Sequence, residues 1–173
     1  MKLTLSATEM LALWRLHRAY GPPPADTLFS RTDGIDTDSV FTAEMNLWYR
    51  KLLLEAPPPL LAPRSLAPSL SFPEEGCAVA ELPEGTLRVL DVRLSSWSRS
   101  PLILTDPSSP LLGLQLHRFT RATASSPVAF FHGSELRLWP AVPSDRLVTL
   151  SCAVCEDGVY EFDDSALATL HPE

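Results

Sequence analysis

Residues 82–104, LPEGTLRVLDVRLSSWSRSPLIL, are the stretch whose reading decides the fold. A Pro-Glu-Gly turn feeds a run of Leu and Val that carries on to Trp97 and a Ser-Pro break. Residues 127–140, PVAFFHGSELRLWP, repeat the pattern. Aliphatic, β-branched and aromatic residues between Pro and Gly punctuation suit a pleated, half-buried surface. The two stretches together therefore read as the centre of an antiparallel sheet, and no catalytic signature lies inside either.

Working outward, short strands are expected at 77–82, 87–94, 102–105, 112–119, 128–132, 136–139, 147–154 and 158–162. Turn signals separate nearly all of them, as in an all-β sandwich or small barrel. His-Gly-Ser at 132–134 predicts a tight hairpin and Glu-Asp-Gly at 156–158 a second. In 147–154, Val148, Leu150, Cys152 and Val154 alternate with Thr149, Ser151 and Ala153, the signature of a half-buried strand.

Upstream the period changes. Ser6 and Glu9 have capping-box spacing, and Leu5 with Met10 that of a hydrophobic staple, so a helix over 5–20 has its start specified twice. Met10, Leu13, Trp14, His17 and Tyr20 share its apolar stripe, with Leu16 flanking and Gly21-Pro22 as the stop. His17 has no ligand-type residue at i+4 and reads as a partly buried core histidine. Asp33, Asp36 and Asp38 do not match the alternation of a calcium loop and read as turn and capping residues. A second helix follows to about Ala56, with Phe41, Met45, Trp48 and Leu52 on its stripe, widened by Val40, Tyr49 and Leu53. Trp14, Trp48 and Tyr49 form a packing seam in this reading.

With 17 Pro against 7 Gly, rigid extended connections are favoured over flexible linkers. Residues 57–73, PPPLLAPRSLAPSLSFP, concentrate that bias and read as an extended strap whose leucines lie against something. A PxxP ligand is the sharper reading, but the flanking basic pattern is missing. The expected organisation is a helical region at 1–62, a Pro-rich strap at 63–76 and an antiparallel β domain at 77–173. The fold class is α+β: an N-terminal helical pair packed on an antiparallel β-sandwich or small barrel.

Composition argues against several functions. The 173 residues carry a net charge of -7, which opposes broad nucleic-acid binding because phosphate neutralisation needs a clustered excess of Lys and Arg. Three sparse cysteines, Cys77, Cys152 and Cys155, are no disulfide framework and point to a reducing compartment. MKLTLSATEM lacks the apolar core of a signal peptide, and no run is long enough to span a membrane. The expectation is a protein cytoplasmic when synthesised, without a membrane partner.

Cys152-Ala-Val-Cys155 is formally C-x-x-C, but strand alternation sends the two sulfurs to opposite faces, and Cys77 with a distant His117, His132 or His171 would have to complete a site. Ser134 beside His132 has no visible acid or oxyanion loop. The paired carboxylates Asp163-Asp164 and Glu74-Glu75 sit in expected turns. No catalytic residue, metal ligand or cofactor is assigned, and a non-enzymatic protein is expected.

The Leu82-Pro83 opener, the apolar strand with Arg88 and Arg93, Trp97 followed by Ser98-Arg99, a Ser-Pro-containing connection and the Pro-Val-Ala-Phe hairpin resemble the C-terminal part of head-to-tail connector proteins of short-tailed phages. These are neck-ring and tail-tubular adaptor proteins, including versions carried by phages and prophages of gut Bacteroidetes. The resemblance spans residues 38–162 as a pattern of elements. It implies a structural virion protein of the neck, portal and tail-tube or other neck proteins as partners, and a homo-oligomeric ring closed by rotational symmetry. On this reading Arg88, Arg93, Trp97, Arg99, Arg118 and Arg121 are the candidate subunit or partner contacts, with Asp163 and Asp164 of an adjacent copy as their acids. The alternative is a non-enzymatic β-sandwich binding module that recognises a protein or glycan.

Overall fold

The computed structural model describes residues 1–19 and 37–170. In chain order its elements are β1 (Lys2–Ser6), α1 (Ala7–Ala19), α2 (Thr37–Glu55), a 3-10 turn (Pro58–Leu60), β2 (Arg64–Ser65), β3 (Leu70–Glu74), β4 (Cys77–Glu81), β5 (Thr86–Leu94), β6 (Leu102–Leu104), α3 (Pro110–Gln115), β7 (Val128–His132), β8 (Glu135–Trp139), β9 (Leu147–Val154), β10 (Val159–Asp163) and a 3-10 segment (Asp164–Leu170). The class is α+β. Two units form: Met1–Ala62 with Cys155–Glu173, and Pro63–Val154.

The first unit is built on a two-stranded antiparallel ribbon in which Lys2 faces Asp163 and Ser6 faces Val159. Strand β10 alternates cleanly, burying Tyr160 and Phe162. The aromatic seam expected from the helices is real and includes these two rings. Trp14 meets Trp48 at 5.9 Å, Trp48 meets Phe162 edge-on at 5.5 Å, and Tyr49 meets Tyr160 at 5.0 Å. Such geometries exploit ring quadrupoles as well as apolar burial. The Tyr49 hydroxyl accepts from the Glu161 amide at 3.0 Å and lies 3.4 Å from its carbonyl, so α2 is fastened to the backbone of β10 itself.

Ser6 links strand to helix. An N-cap residue keeps β-region backbone, so one residue can close β1 and cap α1. Its amide donates to the Glu9 carboxylate at 2.8 Å and its hydroxyl at 2.7 Å, while the Glu9 amide reaches Ser6 Oγ at 3.4 Å. Arg15 and Asp38 then pair between α1 and α2.

The second unit is a sandwich of a three-stranded sheet, β2-β9-β5, and a five-stranded sheet, β3-β4-β8-β7-β6. Neither closes into a barrel. Val89, Val92 and Leu94 of β5 and Leu150 and Cys152 of β9 share one core with Ala78 and Ala80 of β4, Ala129 and Phe131 of β7, and Leu136 and Leu138 of β8. The opposite face of the larger sheet carries Cys77, Val128 and Trp139, against which Leu112 and Ala122 pack. The Pro-Glu-Gly turn forms as expected: Thr86 donates to Pro83 carbonyl from its amide at 3.2 Å and its hydroxyl at 2.8 Å, with Gly85 left-handed at φ 87°.

Where β5 and β9 end, a buried carboxylate organises the connections. Asp145 accepts from Ser95 Oγ (3.1 Å), Ser96 N (3.2 Å), Ser96 Oγ (2.9 Å) and Val142 N (2.9 Å). Trp97, 2% exposed, closes the core beside it and donates its indole N–H to the Pro140 carbonyl at 2.7 Å.

Several expectations are corrected. The stretches 82–104 and 127–140 do not pair as one sheet centre. Strand β5 pairs with β9, and the β7–β8 hairpin lies in the facing sheet. Their apolar residues meet across the core, a pairing that periodicity within each strand cannot distinguish from a lateral one. Strand β6 pairs parallel to β7, so the larger sheet is mixed. Residues 112–119 form no strand: α3 occupies Pro110–Gln115, because Pro110 presets the first helical turn. The extended strap at 63–76 is strand over half its length. Arg64 and Ser65 pair with β9, and β3 pairs with β4 at an edge, where a register shift between Ser71 and Glu74 leaves room for Pro73. The Glu-Asp-Gly turn forms, with Glu156 bridging Val159, but β9 and β10 pair elsewhere and belong to different units. Residues 77–173 are thus divided at Val154/Cys155. Residues 2–6, read partly as helix, are a strand, and the helices cover the β1–β10 ribbon of their own unit. Tyr20, Gly21, Pro22, Asp33, Asp36 and His171 lie outside the described residues.

Two outcomes follow from these contacts. Hydrogen bonds from the Ser6 amide and then its hydroxyl hold the Glu9 carboxyl below its ordinary value of 4.5. A depressed carboxyl stabilises the cap above that value and loses the contribution as pH falls through its lowered folded value. Ser6→Ala should weaken the α1 start by about 1 kcal/mol, and Glu9→Gln should abolish the acid dependence of protection at the Ser6 amide, holding it at neutral pH at the reduced level that wild type reaches in acid. In the sandwich, Asp145→Ala strands several donors of the paired turns and should cost about 2–3 kcal/mol in urea unfolding. A loss below about 0.5 kcal/mol, the level of an ordinary surface change, contradicts its role.

Candidate functional site

Two surfaces stand out once the fold is described, one in each unit. The first begins at the short helix of the sandwich. Asp106 Oδ1 accepts from the Ser108 amide at 2.8 Å and hydroxyl at 2.7 Å, hydrogen bonds that hold its carboxyl below the usual range. Pro110 then opens α3. After Gln115 the chain folds back on itself through Thr120 N to His117 O (3.1 Å), Arg121 N to His117 O (3.0 Å) and Thr120 Oγ1 to Leu114 O (2.8 Å).

Gln115 is the internal brace of this loop. Its side chain is buried, donates from Nε2 to Leu111 O at 3.0 Å and accepts the Ala122 amide on Oε1 at 2.9 Å. A buried amide with both ends satisfied rigidifies what it joins. Arg121 adds an external brace, with Nε to Gln115 O at 3.0 Å and a guanidinium nitrogen to Glu75 O. Its guanidinium lies over Gly76, whose left-handed φ of 79° and lack of a Cβ leave the room it needs.

The braced loop turns apolar side chains outward. Leu116 is 76% exposed and Phe119 98%, and His117 and Arg118 between them are exposed as well. Single exposed apolar residues are ordinary, whereas a cluster on a rigid support marks an interaction site.

The second surface is a groove of about 610 Å³ in the helical unit. Trp14 and Leu52 are buried in its floor, Leu47, Trp48 and Leu60 line it, and Glu44, Lys51 and Glu55 supply charge at its edge. Trp48 is oriented by its indole N–H, which donates to Thr169 Oγ1 at 3.2 Å. Leu47 is 71% exposed.

The six contact candidates from the sequence separate into different roles. Trp97 is a core residue and offers no side-chain surface to a partner. Arg121 is committed to bracing. Arg88 and Arg93 lie on β5, the first half-buried and the second exposed opposite Thr149. Arg99, on the β5–β6 connection, and Arg118, on the braced loop, are exposed. Asp163 and Asp164 are already engaged within the chain, at 3.1 and 2.6 Å from the terminal ammonium of Met1. Sequence reasoning missed Leu116 and Phe119 because it took their segment, 112–119, as a strand. The available signal was Ser109-Pro110, a cap-type residue before a Pro at the first helical position.

The cysteines do not converge. Cys152 lies in the sandwich core, where burial pushes its thiol up to about 11, and Cys155 belongs to the other unit, its thiol raised mainly by burial. Cys77 is raised by burial too. Among the described residues no group of three His, Cys, Asp or Glu is placed to hold a metal ion. No helix of the described residues is long and apolar enough to cross a membrane. No protein-family model, curated protein or solved structure matches the chain.

Thiol placement sets an order of reactivity, since the thiolate is the reactive form. Under native conditions a thiol reagent should modify Cys155 first and leave Cys77 and Cys152 until unfolding, as read by intact mass against time. Cys155→Ser should be near neutral, and Cys152→Ala should cost about 1–2 kcal/mol as a small core truncation. Stoichiometric zinc in freshly purified protein, lost on either substitution, contradicts this assignment.

Proposed function

We propose that this chain works by association: it is a structural subunit of a phage head-to-tail connector, which assembles as a ring between portal and tail. The observation that carries the reading is the braced loop, where Gln115 and Arg121 are spent on holding Leu116 and Phe119 in solvent. Ordering a loop costs conformational entropy, and a rigid loop with an exposed aromatic tip lowers the entropic cost of docking. The sequence resemblance of residues 38–162 to neck and adaptor proteins is what directs this reading toward a connector. Portal and tail-tube or other neck proteins are the partners on this reading, and the neck of the virion is its location. Of the candidate contact arginines, Arg93, Arg99 and Arg118 are exposed.

A binding module for a protein or glycan is the second reading, favoured by the groove with Trp14 and Trp48 at its centre. The two readings separate in one experiment. Purified chain is mixed with its cognate portal ring at low and moderate salt, and end-on particles are inspected by electron microscopy. The connector reading expects an added ring of density, weakened by Arg99→Glu, since exposed ion pairs are individually weak and screened. Binding to a glycan or peptide with no portal binding at any salt overturns it in favour of the second reading.

A further inference from the structure

We infer that copies of this chain join head to tail, the Leu116–Phe119 loop of one copy seating in the Trp14–Trp48 groove of the next. The inference rests on the reading that copies assemble side by side in a ring, and it names the contact.

The two surfaces complement each other in chemistry. Phe119 and Leu116 present apolar side chains with Arg118 between them, and the groove presents an apolar floor and walls edged by two acids, Glu44 and Glu55, and one base, Lys51, which lies 4.0 Å from Glu55, so the edge carries a net negative charge. Guanidinium pairs with carboxylate and stacks on indole, so Arg118 has both kinds of partner where Trp48 and the two acids adjoin. A volume of about 610 Å³ falls in the range that takes up ligand-sized groups, here one aromatic and one aliphatic side chain. The bracing by Gln115 and Arg121 means that little loop entropy remains to be lost on docking.

The two surfaces are also different patches of one chain, which determines the symmetry. A two-fold dimer matches a patch with itself, whereas a loop-to-groove contact leaves each copy with one groove and one loop to offer. Repetition then closes a ring or extends a filament. One such contact is small: an aromatic side chain buries about 150–250 Å², and a stable interface takes roughly 800 Å² per partner. Single links are therefore weak. Closure makes the final contact intramolecular, so rings form cooperatively from a largely monomeric pool.

Disulfide trapping in the full-length chain tests the contact. Phe119→Cys and Leu47→Cys are made separately, both at exposed positions that leave the cores intact, and mixed under mild oxidation with wild type as the background for Cys155. The expected result is a mixed covalent dimer, with each variant alone no higher than wild type. The double variant should give a ladder or a closed ring, and Arg118→Glu on the loop partner should lower the mixed yield several-fold. Lys51→Cys serves as a second groove position in case the first geometry is unfavourable. No mixed dimer from either groove position, or equal yields from each variant alone, overturns the contact. Trapping without portal binding would sink the connector reading and leave the contact standing. Portal binding without trapping would do the reverse.

Discussion

The sandwich depends on one buried carboxylate. Asp145 sits where β5 and β9 run out of partners, and two turns come together there with unpaired amides and hydroxyls. A carboxylate is acceptor-only and takes several donors at once, so one side chain holds amides and hydroxyls of both turns together. Its position fixes Ser95 and Ser96, and these place Trp97 over the end of the core, with Pro140 receiving the indole N–H. The tapered interior, small Ala78, Ala80 and Ala129 on one sheet against Val89, Val92 and Leu94 on the other, can then close without a gap.

The helical unit solves a different problem. A two-stranded ribbon is marginal alone in water, and β1–β10 is covered by two amphipathic helices through a seam of five aromatic rings and the Tyr49 hydroxyl. Ser6 ties strand to helix without a connecting residue. The chain thereby commits its first and last described segments to one unit, and the sandwich is inserted between them.

Polar side chains in both units serve mainly as braces. Asp145, Gln115, Arg121 and Tyr49 each bond to backbone groups. Large apolar side chains are left in solvent as well, Phe119, Leu116 and Leu47 among them. Surfaces of that kind suit contact with other chains, which is the physical basis of the connector reading.

Local signals in the sequence were enough for the elements that depend on neighbours in the chain. The Ser6–Glu9 cap, the stripes of α1 and α2, the Pro-Glu-Gly turn, the His-Gly-Ser hairpin and the limits of β7 and β9 all follow from interactions between residues a few positions apart. Partner choice among strands does not, because one alternating pattern suits any neighbour that buries the same face. Only tertiary structure decided that β5 pairs with β9 across a gap of more than fifty positions, that β6 runs parallel to β7, and that β10 leaves β9 for the N-terminal strand. It also decided which surfaces are open. Leu112 and Phe119 look alike in a hydropathy profile, yet one packs on the cluster of Cys77, Val128 and Trp139 and the other stands in water, because Gln115 and Arg121 turn the chain between them.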